Sequence, residues 1–432
     1  MNNETPRGYS LHTKILFSLF AGAALGSVAN RFTDNETTWL PTINQYVLDP
    51  IGQVFLRMLF MTVIPLVFSS LALGVAQLGG RGDLGRIGLK TMAFFLSTMT
   101  CAVLIGLLLV NTIKPGEGLS AETKASLMEK YGDKAKERAG PTSFGIQTFI
   151  DIIPRNPLKS MVEMEMLAVI SFALLVGVAL TRIPEERAAV LVKILEGIND
   201  LMVAIIGWAM MLAPFGVFAL IFSVTSQFGF AVMQALGWYV AVVLIGIALQ
   251  LFGVLPLLLI SLARYSPLKF FRRTRDVMIT AFSTSSSNAT LPTSIKTAEE
   301  ELGVSSSITG FVLPLGATMN MNGTALFEGV TVVFLAQVFG VDLSLSDQLI
   351  VIVLAVLTAV GAAGVPGGSL PLLALVLNTV HVPSAGIALI LGVDRVLDMC
   401  RTTLNVTADV VGAVCIAHSE GELTEPDKLI DL

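Results

Sequence analysis

Two stretches of this chain, Leu201–Val224 and Val242–Leu262, contain no charged residue. Each is long enough to cross a hydrocarbon core of about 30 Å as a helix. Inside lipid every backbone N–H and C=O must be bonded within the protein, so such runs fold as helices. The composition carries the argument to the whole chain. Of 432 residues 54% are hydrophobic and 14% charged, where a soluble domain has roughly 25% charged.

Apolar spans are expected at 13–31, 51–78, 88–112, 146–181, 188–226, 233–264, 305–340 and 384–418. The apolar part of the first, Ile15–Asn30, follows Arg7, His12 and Lys14 and has the look of a signal peptide; the string of spans behind it makes it a retained first helix. Topology depends on where Lys and Arg sit, so the net charge of −5 says little. Basic residues gather in alternate connections: Arg81, Arg86 and Lys90; Arg182, Arg187 and Lys193; then Arg264, Lys269, Arg272, Arg273 and Arg275. The positive-inside rule places these, and both termini, in the cytoplasm of a cell-membrane protein. The stretch Lys114–Pro141 then lies outside, and its Lys, Glu and Gly content reads as a mobile loop. Cys101, Cys400 and Cys415 stand apart in apolar runs, which argues against a disulfide or transition-metal site. No basic aromatic stripe or tail points to nucleic acid.

Two segments do not fit simple spans. One is 267–303, centred on FSTSSSNATLP (282–292); the other is 346–382, which holds GAAGVPGGSLP (361–371). Each has two short arms around a break of Ser, Gly and Pro. Helical hairpins that enter and leave by the same side are expected, the first opening to the cytoplasm and the second to the outside. Paired, oppositely oriented broken segments point to an inverted-repeat transporter with its site at the tips. Irregular backbone at membrane depth is tolerated only when buried in protein or lining a wet cavity.

In the last span Asp394, Asp398, Arg401, Asn405 and Asp409 follow at intervals of 4, 3, 4 and 4. On a helix they fall within roughly 80° of circumference. Charged groups at bilayer depth are costly, so this stripe faces protein or water. It forms either a structural ion-pair ladder or a binding stripe for a zwitterion with an extra acid. In the second case Asp398 takes an ammonium, Arg401 grips a carboxylate, Asn405 donates to a second carboxylate, and Asp409 serves a cation. Arg395 lies at the stripe's edge and reads as structural. In the seventh span, LPLGATMNMNGTALFEG (313–329), Pro314, Gly316 and Gly323 interrupt the helix and free carbonyls suited to a hard cation, with Thr318, Asn320, Asn322 and Thr324 adding oxygens. Burial disfavours the charged form of a carboxylate, so Glu328 is either a neutral core residue or a proton carrier.

These residues resemble the glutamate transporter family, the dicarboxylate/amino acid:cation symporters that include excitatory amino acid transporters and archaeal aspartate transporters. TSSSNATLP, GATMNMNGTAL, GAAGVPGG and DMCRTTLNVTAD occur in the family's order, and the likeness covers nearly the whole chain. It implies an all-α integral membrane protein with eight transmembrane helices and two re-entrant hairpins, working as a homotrimeric elevator. Residues 1–87 and 146–232 would be a trimerisation scaffold, 88–114 and 233–418 a transport domain, 115–145 an extracellular loop and 419–432 a cytoplasmic tail. The substrate set would be Thr284, Ser285 and Ser286 of the first tip; Met321 and Thr324; Val365, Pro366, Gly367, Gly368 and Ser369 of the second; and Asp398, Arg401, Thr402 and Asn405. One sodium would use Gly316, Asn320, Asn405 and Asp409, and a second the backbone around Thr318 and Ala359–Ala362. Glu328 matches the proton carrier of the animal transporters. The resemblance implies no cofactor, only co-transported H⁺ or Na⁺.

Departures from the pattern matter. The family's NMDGT reads Asn320-Met321-Asn322-Gly323-Thr324 here, and of Phe95, Thr98 and Met99 only Thr98 keeps a hydroxyl. Those three with Asn320 and Asn322 resemble the third sodium site, here stripped of one carboxylate and two hydroxyls. Symport of aspartate or glutamate with protons, with fewer sodium ions than the family maximum or with none, is therefore expected. C4-dicarboxylate symport and a substrate-gated anion channel are the alternatives. A serine hydrolase is disfavoured, because His12, His381 and His418 lie near span ends and no GxSxG elbow occurs.

Overall fold

The structure, a computed structural model, describes residues 11–32, 39–77, 83–136, 153–163, 166–228, 230–362, 364 and 367–424. Among them seven helical stretches are long and apolar enough to cross a membrane, and no strand is formed. The chain is an all-helical, multi-pass membrane protein.

The first half gives α1 (Leu11–Phe32), α2 (Asp49–Phe60), α3 (Val63–Gln77), α4 (Asp83–Ile113), α5 (Ala121–Lys136), α6 (Pro157–Val162), α7 (Met166–Leu180) and α8 (Glu185–Phe228). Helix α8 has 44 residues and is about 66 Å long, so its charged first turns project past any hydrocarbon layer. It packs along α1, α2 and α3, while α7 packs on α3.

The second half begins with α9 (Phe230–Leu249) and α10 (Leu255–Ala263), joined by a π-helical turn, Gln250–Val254. Pro256 explains the turn: its ring clashes with the carbonyl four residues back and it brings no N–H. Next come α11 (Pro267–Arg273), α12 (Arg275–Thr284) and α13 (Ser287–Glu300), then α14 (Ser306–Met319) and α15 (Asn322–Phe339). The chain continues with α16 (Leu345–Val360), α17 (Leu370–Thr379) and α18 (Ile387–Glu420). Helix α18 is the hub, packed by α9, α10, α12, α13, α14 and α15, and α15 lies along α4. Helices α12/α13 and α16/α17 are the two expected hairpins, and each pair packs arm against arm.

Two expectations are corrected. The polar stretch Lys114–Pro141 is not simply a loop, because 121–136 is helical. The Ser120 hydroxyl caps it, accepting from the Thr123 amide at 3.1 Å, and Leu127 is buried, with α5 packed against α15. The fourth span, expected at 146–181, is shorter where it is described: α7 has 15 residues, about 22 Å. Pro154, Pro157 and the capping Asn156, which accepts from the Lys159 amide, break the helix before it. Residues 137–152 lie outside the described part.

The end of α18 is tied down twice. Glu420 takes Arg86 and Lys90, each at 2.6 Å, and Leu423 bridges to Val304 while the Thr424 amide donates to Gly303 at 2.9 Å. Glu422 accepts from the Ser305 hydroxyl and from Ser307 at 2.5 Å. These bonds, Ser305's first, hold the Glu422 carboxyl below the usual carboxylate range. A lowered value in the folded protein means that the tie is complete at neutral pH and lost as pH falls through that lowered value. The protection factor of the Thr424 amide should therefore hold from pH 7 down through the ordinary carboxylate range and fall only below it. Fast exchange already at neutral pH would refute the tie.

Candidate functional site

Three interruptions of helical backbone meet on one face of α18. At the first tip Ser285 takes a left-handed conformation, φ 49°, and Ser286 caps α13 by accepting from the Ala289 amide at 3.2 Å. The same Ser286 hydroxyl donates to the Gly364 carbonyl at 2.7 Å, so the two hairpin tips touch directly. Gly367 in the second tip, φ 76°, sends its amide to Asp398 Oδ2 at 3.3 Å. The third interruption, Asn320–Met321 between α14 and α15, is held by Asn405, whose Oδ1 accepts from the Gly323 amide at 2.6 Å. That amide is one of the unpaired donors at the start of a helix. A side chain on α18 thus completes the first turn of α15.

A cavity of at most about 270 Å³, its open mouth included, lies where these parts converge. Of the expected substrate set, Ser285, Met321, Thr324, Ser369, Asp398, Thr402 and Asn405 line it, together with Ser287, Ala362 and Gly364. The Ser285 and Ser369 hydroxyls, one from each hairpin, are buried without a hydrogen-bond partner and face this same space. Buried polar groups are nearly always paired, so two unpaired hydroxyls at one cavity suit a ligand. Thr284 is turned into its own hairpin, donating to the Thr280 carbonyl at 2.8 Å, and the Ser286 hydroxyl is spent on its cap and on Gly364 of the other tip. Gly368 belongs to the turn before α17. Val365 and Pro366 lie outside the described residues.

Arg401 does not line the cavity. It is 0% exposed, with Nη2 2.9 Å from Asp398 Oδ1 and Nη1 3.0 Å from Asp394 Oδ1. Its guanidinium lies 3.7 Å above the Phe327 ring centre, a cation–π seat. Arg395 reaches Asp398 Oδ2 at 3.3 Å, so it belongs to the network and not to its edge.

The cation candidates fall into two groups. Asn320 Nδ2 donates to Asp409 Oδ1 at 2.9 Å, and a Cβ on Gly316 would stand 2.6 Å from that oxygen. Gly316, Asn320 and Asp409 are thereby gathered beside Asn405. The Thr318 hydroxyl turns back to Leu315 O at 3.0 Å, the Ala359 carbonyl accepts from the Ala362 amide at 3.3 Å, and Gly364 sits close to the Ala317 carbonyl. Phe95, Thr98 and Met99 are buried, and the Thr98 hydroxyl is used by its own helix. Gln250, which the sequence reading passed over, donates to the Thr98 carbonyl at 3.1 Å and to Asn322 Oδ1 at 3.2 Å. Asn322 in turn donates to Asn320 Oδ1 at 2.7 Å. A lone amide between Tyr239 and Ser261 in an apolar span was the available signal.

Glu328, 0% exposed, accepts from the Thr358 hydroxyl of the second hairpin at 2.5 Å, and its Oε1 has no partner. Thr358 is a further residue missed from sequence.

Residues 11–419 match the model of the sodium:dicarboxylate symporter family. The chain belongs to that family. It is 36% identical over 419 residues to a proton/sodium-glutamate symport protein of Bacillus subtilis (strain 168), covering 96% of this chain and 93% of the relative. It is also 36% identical over 415 residues to a proton/glutamate-aspartate symporter of Escherichia coli (strain K12), covering 95% and 93%. A C4-dicarboxylate transport protein of Rhodospirillum rubrum is 32% identical over 417 residues, covering 96% and 89%. Membership makes this chain a transporter and not an enzyme.

The tightest approach in the site is testable. A Cβ on Gly323 would come within 2.6 Å of the Arg401 carbonyl and 2.8 Å of its Cα, backbone that cannot yield without moving α15 off α18. Gly323→Ala should lower thermal stability by about 1–3 kcal/mol in a melting measurement and weaken ligand binding with it. An unchanged melting curve would mean that α15 and α18 are not this closely apposed.

Proposed function

We propose that this protein is a secondary active symporter of acidic amino acids, L-aspartate or L-glutamate. The observation that carries the reading is the Asp398–Arg401 pair set beneath a small cavity that both hairpin tips close. Asp398 lines that cavity and is the natural partner of an amino group. Arg401 lies one turn along, and its fork matches a side-chain carboxylate once it turns from Asp394. Thr324, Thr402 and Asn405 supply neutral donors for the α-carboxylate, and Ser285 and Ser369 add one hydroxyl from each tip. A C4-dicarboxylate has no amino group to satisfy Asp398, which favours the amino acid. The glutamate and glutamate-aspartate relatives support the same choice.

The transport cycle is read as an elevator. Residues 88–114 and 233–418, gathered around α18, form the moving body, and 1–87 with 146–232 form the scaffold of a homotrimer, with both termini cytoplasmic. Coupling is to protons, carried by Glu328, with fewer sodium ions than the family maximum. Support comes from the full burial of Glu328 against Thr358 of the second hairpin and from the amide-for-carboxylate exchange at Asn322. Asp409 with Gly316, Asn320 and Asn405 is the retained cation site, and Thr318 with Ala359 belongs to the second.

Arg401→Ala and Asp398→Ala should each weaken aspartate binding at least about 30-fold, the loss expected when one partner of a buried charge pair is removed, about 2 kcal/mol or more. Isothermal titration of purified protein measures this; normal binding by both variants would refute the assignment, and succinate binding as tight as aspartate would favour the dicarboxylate. Separately, proteoliposomes under independent sodium and pH gradients test the coupling. An inward proton gradient should accelerate aspartate uptake in the native protein and not in Glu328→Gln. Steep dependence on three sodium ions without response to pH would overturn proton coupling.

A further inference from the structure

Arg395 has no role in the substrate set above, yet it is 3% exposed and ion-paired within that set. Both oxygens of Asp398 are engaged by protein groups. Oδ1 takes Arg401 at 2.9 Å; Oδ2 takes Arg395 and the Gly367 amide, each at 3.3 Å. Asp394 holds the other arm of Arg401 at 3.0 Å. Two carboxylates and two guanidiniums thus cancel in charge within one buried cluster.

An amino acid that enters here needs two of these partners. Its side-chain carboxylate takes the Arg401 arm that Asp394 holds, and its ammonium takes an Asp398 oxygen. When it leaves, Arg401 still holds Oδ1 and it is Oδ2 that again needs a partner, because a buried carboxylate oxygen stripped of one is destabilising. Of the groups around Asp398 Oδ2, Arg395 is the cation, and the amide beside it belongs to the second hairpin tip. We propose that Arg395 stands in for the substrate's amino group. On this reading it compensates Asp398 and keeps the second hairpin closed whenever the carrier returns unloaded, and yields Oδ2 when the substrate arrives. Arg395 is a positioning residue that acts through Asp398, and the inference rests on the acidic amino acid reading.

An alternating-access carrier crosses loaded in one direction and unloaded in the other when it performs net uptake, whereas exchange uses only the loaded crossing. Arg395→Met keeps apolar bulk and removes the charge; Arg395→Lys keeps the charge. In proteoliposomes at saturating aspartate, Arg395→Met should raise the ratio of exchange to net uptake at least about tenfold, and Arg395→Lys should restore most of it. In detergent without aspartate, amide hydrogen exchange over residues 367–370 should be about tenfold faster in Arg395→Met than in native protein, and the difference should vanish with aspartate bound. The hydrogen-exchange arm needs no transport, so it decides the matter if the variant transports poorly. Exchange and net uptake falling together, or equal protection of 367–370 in both ligand-free proteins, would overturn the role of Arg395. Native protein that neither exchanges nor accumulates aspartate would instead overturn the transport reading itself.

Discussion

A guanidinium with no exposure to solvent, between Asp394 and Asp398 and seated on the Phe327 ring, is the constraint around which the second half of this chain is organised. Taking ions out of water is expensive, and the mutual attraction of the charges returns the cost only when geometry and remaining hydrogen bonds are good. Helix α18 therefore cannot turn this stripe toward lipid. It must be wrapped, and the wrapping elements must offer polar groups of their own. Hairpin tips and broken helices are what a membrane protein has available for that, since an intact helix presents no free backbone.

The three interruptions and the polar stripe solve each other's problem. Asn405 accepts the Gly323 amide, Asp398 accepts the Gly367 amide, and Asn320 at the end of α14 reaches Asp409. Two are backbone amides freed by irregular backbone and the third a side-chain amide at such a break, and each meets an α18 side chain. The tips also bond to one another through Ser286 and Gly364, so the pieces of the site are held in a closed ring and not merely near each other.

How much of this was legible in the sequence follows from what kind of signal each part leaves. Charge-free runs, the paired breaks and the 4-3-4-4 stripe are strong because membrane and helix periodicity leave few alternatives. Helix α5 was hidden by its composition: Lys, Glu and Ala in a polar stretch suit a loop as well as a helix, and what decides is the Ser120 cap and burial of Leu127. The fourth span was overextended because Val162 and Ile153 kept the window apolar across Pro154 and Pro157. Within the site, Arg395 was set aside on its angle to Asp394, yet it stands three residues before Asp398, about 60° away on the helix, and reaches it at 3.3 Å. Thr358 and Gln250 lie on other helices from the groups they touch, and a single sequence carries no pairing information of that kind.

The hydrogen bonds from Gln250 to Asn322, from Asn322 to Asn320 and from Asn320 to Asp409 all run in one sense, each amide giving its hydrogens to the next oxygen. Turning one amide alone sets two oxygens or two N–H groups face to face, and turning all of them sets the Gln250 oxygen against the Thr98 carbonyl, which accepts from Gln250 at 3.1 Å. Asp409, acceptor-only while ionised, fixes the sense of the row from its far end. The π-helical turn that carries Gln250, the break that carries Asn320 and the last helix are therefore bound into a single register with one sense. Losing the acceptor at either end leaves a buried amide of the row without a partner, so the two ends guard one another's hydrogen bonds.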